Sequence, residues 1–231
     1  LMDVALHDAG VTFVLDRAGV TGPDGASHHG MWDLAIFQVV PGIRIAAPRD
    51  AERLAELLAE AVAVDDAPTM IRFGKGNASA SIPALRRSAD GVDVLFESNK
   101  RDVLLVGVGV MADTAVKVAK KLETLGIGAT VLDPRWVVPV RESVLDEASR
   151  HRLVVTIEDG VKVGGIGTRV RQDLRDAQID TALTELGLPD EFLEHASRSE
   201  LLLDAGLDVE SIVQRIAAQV KGEMIPHARR V

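Results

Sequence analysis

The sequence predicts an α/β protein built as two three-layer units with mostly parallel sheets. Three observations carry that prediction. Short β-branched apolar runs alternate with amphipathic segments of roughly 10 to 15 residues, as strands do when crossover helices join them. The 231 residues are 47% apolar and 26% charged, enough to bury a core and too apolar for a disordered chain. Periodicity is lost over residues 74–100, where Gly, Ser, Asn and Pro accumulate as in a linker. There is no internal repeat.

The elements follow in order. "VTFVLD" (11–16) reads as a buried strand, and a glycine-rich loop comes directly behind it. "DLAIFQVV" reads as a helix carrying Ile36 and Phe37 inward, and "IRIAAP" as a second strand. "RDAERLAELLAEAVAVDDAP" is the clearest helix of the first half. Its Leu54, Leu57, Leu58 and Val62 form a core-facing stripe. "PTMIRF" is a third strand. The second unit opens with a strand at 103–106 and a helix over 113–125. "GATVLDPRWVVPV" then supplies one strand, "ESVLDEASR" a helix and "RLVVTIED" another strand. "GVKVGGIGTRVRQDL" is a glycine turn running into a helix, and "DVESIVQRIAAQV" is the last helix. The expected division is a first unit over 1–80, a linker over 81–100 and a second unit over 101–231.

Composition excludes several classes of function. A net charge of −9 argues against a nucleic-acid binder, which would show a basic face. With no cysteine, disulfides and thiolate metal sites are impossible. No apolar run approaches the roughly 20 residues of a membrane helix, and no signal peptide is visible, so a cytoplasmic protein is expected. The chain opens on Leu1 inside "LMDVALHDAG", which reads as the second half of a helix without an N-cap, so a piece of a longer protein is expected.

The loop "DRAGVTGPDGASHHG" (16–30) concentrates the candidate chemistry. Ligands of parallel α/β sheets collect beyond the carboxyl ends of strands, and this loop sits there. Its glycines and Pro23 let the backbone turn sharply and approach a ligand. Arg17 offers a guanidinium fork suited to phosphate, Asp24 could orient a hydroxyl or an imidazole, and His28 or His29 could move protons near neutral pH. The plain alternative is a solvated loop with incidental histidines. "RFGKGN" (72–77) also follows a strand end, on the same sheet edge, where Arg72 and Lys75 could add positive charge to an anion site or be ordinary polar punctuation.

Other motifs are weaker. "GVGVMA" fits G-x-G-x-x-A, with Asp133 at the end of the next strand, but any tight strand-to-helix turn selects glycine, so close packing is the favoured reading. Glu158 is read as a strand-end carboxylate, with a buried acid as the alternative, and Trp136 as an anchor of the core or an interface. His7, His151 and His195 have no ligand spacing and are read as structural or surface residues; no metal site is expected.

These residues carry a resemblance. "DRAGVTGPDGASHHGMWDL" resembles the substrate loop of the 1-deoxy-D-xylulose-5-phosphate synthases, thiamine-diphosphate enzymes of the transketolase superfamily. The likeness continues through "PGIRIAAPRDAERL", "IRFGKG", "VGVGVMADTA", "VLDPRWVVPV", "TIEDGVKVGGIGTRV" and "LGLPDEFLEHASRSELLLDAGLD", over essentially the whole chain. It implies the latter part of a pyrimidine-binding domain, a transketolase-like carboxyl-terminal domain, and a homodimer. It also implies condensation of pyruvate with D-glyceraldehyde 3-phosphate, with loss of CO2, to a product that feeds isoprenoid, thiamine and pyridoxal synthesis. By the resemblance, Arg17 grips the acceptor phosphate, while Asp24 and His28 sit by the reacting carbons. Lys75 stands where the family usually has a second phosphate-binding arginine; a lysine is a point charge without bidentate geometry.

The family's G-D-G…N motif, which binds Mg2+ and the diphosphate, does not occur in this sequence. The cofactors implied are therefore thiamine diphosphate and Mg2+ held mostly by an upstream part, and the chain alone is expected to be inactive. The alternatives are a transketolase, a 2-oxo acid dehydrogenase β subunit, which lacks the diphosphate domain naturally, or a non-catalytic dimerisation module.

Overall fold

Two sheets, each parallel at its centre, organise the fold, which a computed structural model describes over residues 1–78 and 80–222. In chain order the elements are α1 (Met2–Leu6), β1 (Thr12–Leu15), a 3-10 turn (Ala26–His28), α2 (Asp33–Phe37), β2 (Arg44–Ala46), α3 (Ala51–Val62) and β3 (Thr69–Arg72). There follow β4 (Arg86–Arg87), β5 (Asp93–Glu97), β6 (Val103–Gly107), α4 (Met111–Thr124), β7 (Ala129–Asp133), β8 (Trp136–Val138) and α5 (Glu142–Ser149). The last are β9 (Leu153–Val161), α6 (Ile166–Asp176), β10 (Ala182–Leu188), α7 (Arg198–Asp204) and α8 (Val209–Lys221). No described helix is long and apolar enough to cross a membrane.

The first sheet has the order β1-β3-β2-β8. β3 pairs in parallel with both β1 and β2, so the carboxyl ends of these strands share one edge, with Leu15 opposite Arg72. The second sheet has the order β10-β9-β6-β7-β5-β4, parallel from β10 to β7, with β5 and β4 antiparallel at its far side. Helices and sheets bury three apolar clusters. One joins Ala46, Leu57, Ala61, Ile71 and Trp136 between α3 and the first sheet. A second runs from Ile45 and Met70 of the first sheet to Leu104 and Val154 of the second. The third packs α4 and α8 onto the second sheet through Ala115, Val118, Ile212 and Ile216.

Four expectations are corrected. Residues 81–100 are not an irregular linker: β4 and β5 lie there, and β5 pairs with β7. "VLFE" supplies a short apolar run that completes the sheet while its Gly- and Ser-rich flanks hide it from a periodicity reading. "GATVLDPRWVVPV" is not one strand. Pro134 ends β7, Arg135 turns the chain at φ 61°, and β8 crosses to pair antiparallel with β2 in the other sheet. Trp136 thereby becomes an inter-unit anchor, donating its indole N–H to Glu60 at 2.6 Å. Ile36 points outward at 59% exposure, because α2 is a single short turn that buries Leu34. On α3 the buried pair is Leu57 and Ala61, and Val62 is 68% exposed, since only one stripe of the helix meets the sheet.

Candidate functional site

The site begins with register. Because Leu15 and Arg72 are parallel partners, the chain leaves both strands side by side, and the Ala18 N–H donates to the Phe73 carbonyl at 3.0 Å. Arg17 and Lys75 thus emerge on one edge. The loop that carries Arg17 closes on itself where Gly19 and Gly30 exchange both backbone hydrogen bonds, at 3.1 and 2.9 Å. Between them, Gly22 and Gly25 adopt φ of 77° and 78°, a region that costs other residues roughly 1–2 kcal/mol.

Asp24 is the centre of charge. Lys75 Nζ donates to both of its oxygens at 2.7 Å, and Arg17 Nη1 donates to Oδ2 at 2.8 Å. The Lys75 hydrogen bond is the main cause that holds the Asp24 carboxyl below its ordinary range, with Arg17 and His28 adding to it. Two cations share one carboxylate here. His28 is exposed at the end of the 3-10 turn, with Nδ1 2.9 Å from Ser27 Oγ. A cavity of 560 Å³ opens beside Arg17 and Lys75, lined also by Arg49, Phe73, Met111 and Arg198. That is room for a small phosphorylated metabolite. Asp24 and His28 are not among its lining residues.

The two secondary candidates have other duties. His29 is buried, and its Nδ1 accepts the Thr21 N–H at 3.0 Å. Burial pushes its pKa down, so the neutral ring, protonated at Nε2, holds the loop's shape. Arg72 is not a cation of the anion site. It is buried at the seam between the sheets, donating to Asp33 at 2.8 Å and to Asp159 at 2.9 Å. A strand buried on both faces leaves its terminal guanidinium no solvent, so it must find carboxylates inside.

Sequence reasoning missed what lies on the other side of this seam. Asp159, on β9, accepts from Arg72 through Oδ1 and from Arg198 of α7 through Oδ2 at 2.7 Å. Burial alone would raise its pKa, yet the two guanidiniums hold it down at about 2. Arg198 also donates to the Val20 carbonyl at 3.1 Å. His195 packs on Gly25, where a Cβ would lie 2.2 Å from Nε2. A buried strand ending in arginine is the one signal that could have prompted a search for these acids.

The remaining motifs are structural. Asp133 is buried and bound by Arg49, which also holds Asp93; burial pushes the Asp133 carboxyl up to about 6 despite that arginine. A Cβ on Gly107 would lie 2.6 Å from Ala112, so "GVGVMA" serves close packing. His151 is buried and contacts Thr130 Oγ1 at 3.0 Å. Among the described residues no group of three or more His, Asp or Glu could hold a metal ion.

Glu158 is a buried acid rather than a strand-end carboxylate exposed to solvent. It accepts the Ile166 and Gly167 N–H groups at 3.0 and 2.9 Å, and burial pushes it up from 4.5 to about 7. A raised folded pKa stabilises the fold fully below the unfolded pKa and loses that contribution as pH rises through the folded value. Urea unfolding of the wild type is expected to show a loss between pH 4.5 and about 7 that Glu158→Gln lacks. The difference corresponds to about 3 kcal/mol.

Comparison with known proteins decides the family. Residues 1–80 match the pyrimidine binding domain of transketolase, and residues 93–212 match its C-terminal domain. The chain belongs to the transketolase family. Within that family it is similar to proteins named 1-deoxy-D-xylulose-5-phosphate synthase. It is 69% identical over 229 residues to the synthase of Leifsonia xyli and 66% identical to that of Clavibacter sepedonicus. In each case 99% of this chain is covered, and it spans 35% of the relative's length. Among solved transketolases, a split-gene protein described as an inactive β4 tetramer superposes with a TM-score of 0.79 at 25% identity, covering 93% of this chain and 68% of that one. A transketolase mutant from Pichia stipitis shares the fold, with a TM-score of 0.76 at 19% identity over all of this chain and 34% of that one.

Proposed function

We propose that this chain supplies the acceptor side of an active site that condenses pyruvate with D-glyceraldehyde 3-phosphate to 1-deoxy-D-xylulose 5-phosphate. The observation that carries this reading is the pair Arg17 and Lys75, delivered by adjacent strand ends to one cavity large enough for a triose phosphate. The relatives named as 1-deoxy-D-xylulose-5-phosphate synthases support it. In the reaction, the carboxylate of pyruvate leaves as CO2, the remaining two-carbon unit bonds to the aldehyde carbon, and the aldehyde oxygen takes up a proton.

The residues of this chain bind, orient and transfer that proton. The acceptor phosphate, a dianion, takes over from Asp24 as counter-ion of Arg17 and Lys75; each charged hydrogen bond contributes roughly 1.5–3 kcal/mol. Asp24, released from that pairing, turns toward the hydroxyl end of the aldehyde. His28, exposed in the same loop, supplies the proton, a task suited to an imidazole. Lys75 provides charge without the planar fork of an arginine, so orientation of the phosphate falls to Arg17.

The cofactors of the full-length protein are thiamine diphosphate and Mg2+. Thiamine diphosphate supplies an electron sink for the decarboxylation. The pyrimidine-binding match over residues 1–80 fits contact with its ring, whereas no described cluster of acids fits the metal, so we assign the metal and diphosphate to other segments. The same reading has the full-length protein acting as a cytoplasmic homodimer and the chain alone as inactive. The split-gene transketolase, whose β4 tetramer is described as inactive, favours that last point.

The test is an assay with both substrates, thiamine diphosphate and Mg2+. Full-length protein is expected to release CO2 and form the five-carbon phosphate, and the isolated chain is expected to do neither. Full-length protein that transfers a two-carbon unit only between sugars would instead make it a transketolase.

A further inference from the structure

We infer that Arg198 is a positioning residue through which the second sheet sets the acceptor loop, and that its loss weakens binding of the phosphorylated aldehyde selectively. The inference rests on the function proposed above. Arg198 is the first residue of α7, far along the chain from the loop and outside every motif considered for the site. Ser197 and Glu200 form a reciprocal capping box at this helix start, which fixes where the Arg198 side chain leaves the backbone. From there the guanidinium spans two partners. Nη2 holds Asp159 at 2.7 Å and Nη1 holds the Val20 carbonyl at 3.1 Å.

Val20 lies between Arg17 and Asp24, so this hydrogen bond sets the loop at its middle. On the other side, Asp159 is fixed by Arg72, which in turn is fixed by Asp33. The chain of contacts therefore runs from the interior of both sheets to the backbone of the loop that carries Arg17, Asp24 and His28. The loop also rests directly on this chain, since the site of a Cβ on Gly19 falls 2.2 Å from Asp159 Oδ2. Arg198 lines the same cavity as Arg17 and Lys75. A guanidinium has five N–H donors. The two contacts use two of them.

Removal of Arg198 leaves Asp159 and Asp33 to share the single guanidinium of Arg72, and the loop loses its tether. An arginine that merely stabilised the fold would behave differently: its loss would affect both substrates alike.

The experiment compares full-length wild type, Arg198→Ala, Arg198→Lys and Arg17→Ala, with KM and kcat measured for each substrate and Tm recorded. For Arg198→Ala we expect KM for D-glyceraldehyde 3-phosphate to rise about tenfold and KM for pyruvate to stay within about twofold, with Tm lowered because two buried carboxylates then share one guanidinium. Arg198→Lys keeps the charge opposite Asp159 and should recover part of the loss. An unchanged aldehyde KM in Arg198→Ala, with a raised one in Arg17→Ala, overturns the inference and leaves the functional reading standing. An aldehyde KM unchanged in both overturns the two together. Equal impairment of both substrates also overturns it. If Arg198→Ala does not accumulate as folded protein, Arg198→Lys decides the matter by the same split, since it cannot span both partners with one ammonium.

Discussion

Replacing Asp159 by alanine is expected to lower the unfolding free energy by about 3–5 kcal/mol, the cost of breaking a buried ion pair from one side. The carboxylate is buried between Arg72 at 2.9 Å and Arg198 at 2.7 Å. Arg198 can turn to solvent, but Arg72 cannot, and Asp33 alone then balances its charge. For a protein of this size the loss translates into a fall in Tm on the order of 6–20 °C. Asp159 has a depressed folded pKa of about 2 against an ordinary 3.8. Its contribution is therefore complete above pH 3.8 and is lost as pH falls through about 2. Near neutral pH the variant should show the full deficit, and chemical unfolding there measures it. A deficit below about 1 kcal/mol, the value of an exposed pair, would mean that the seam is wet or flexible.

Gly19→Ala is expected to cost about 2–5 kcal/mol, from two sources that can be separated. The left-handed backbone, at φ 71°, accounts for roughly 1–2 kcal/mol. The rest, roughly 1–3 kcal/mol of overpacking, arises because the new methyl would meet Asp159 Oδ2 at 2.2 Å and Cγ at 2.6 Å. That carboxylate is held by two arginines and has nowhere to go. Gly42 is the control: it has a φ of 72° and nothing within 4 Å of the added carbon. Gly42→Ala should show the backbone cost alone. Equal losses in the two variants would show that the loop does not rest on Asp159.

The pairing of Arg17 with Lys75 was legible because both follow β-branched runs, and parallel strands end on a common edge. The composition of the loop marks it as a candidate site for the same reason that glycine and proline mark any tight excursion. Arg72 was misread because residue type alone does not separate a cation facing a ligand from one facing the interior; all four residues of β3 are buried, and only pairing reveals it. Asp159 and Arg198 were invisible because the contact between Arg198 and Val20 joins residues 178 apart, a distance no local pattern spans. β8 looked like a continuation of β7 because "WVVPV" has the same apolar character whichever sheet receives it. β10 escaped notice because most of its residues are only partly buried, so it lacks the continuous apolar run of the central strands. Asp24 was expected beside the reacting carbons, and its hold on both cations follows from distances that only folded coordinates contain.

The claim on which the account depends is that the Arg17 edge of the first sheet grips the phosphate of an aldehyde. Steady-state kinetics of Arg17→Ala in the full-length protein, with D-glyceraldehyde 3-phosphate and with unphosphorylated glyceraldehyde as acceptors, test it directly. Loss of one charged hydrogen bond predicts a fall in kcat/KM of about one to two decades for the phosphorylated acceptor. The unphosphorylated acceptor should be nearly unaffected. An equal fall for both aldehydes, or none for either, would contradict the claim.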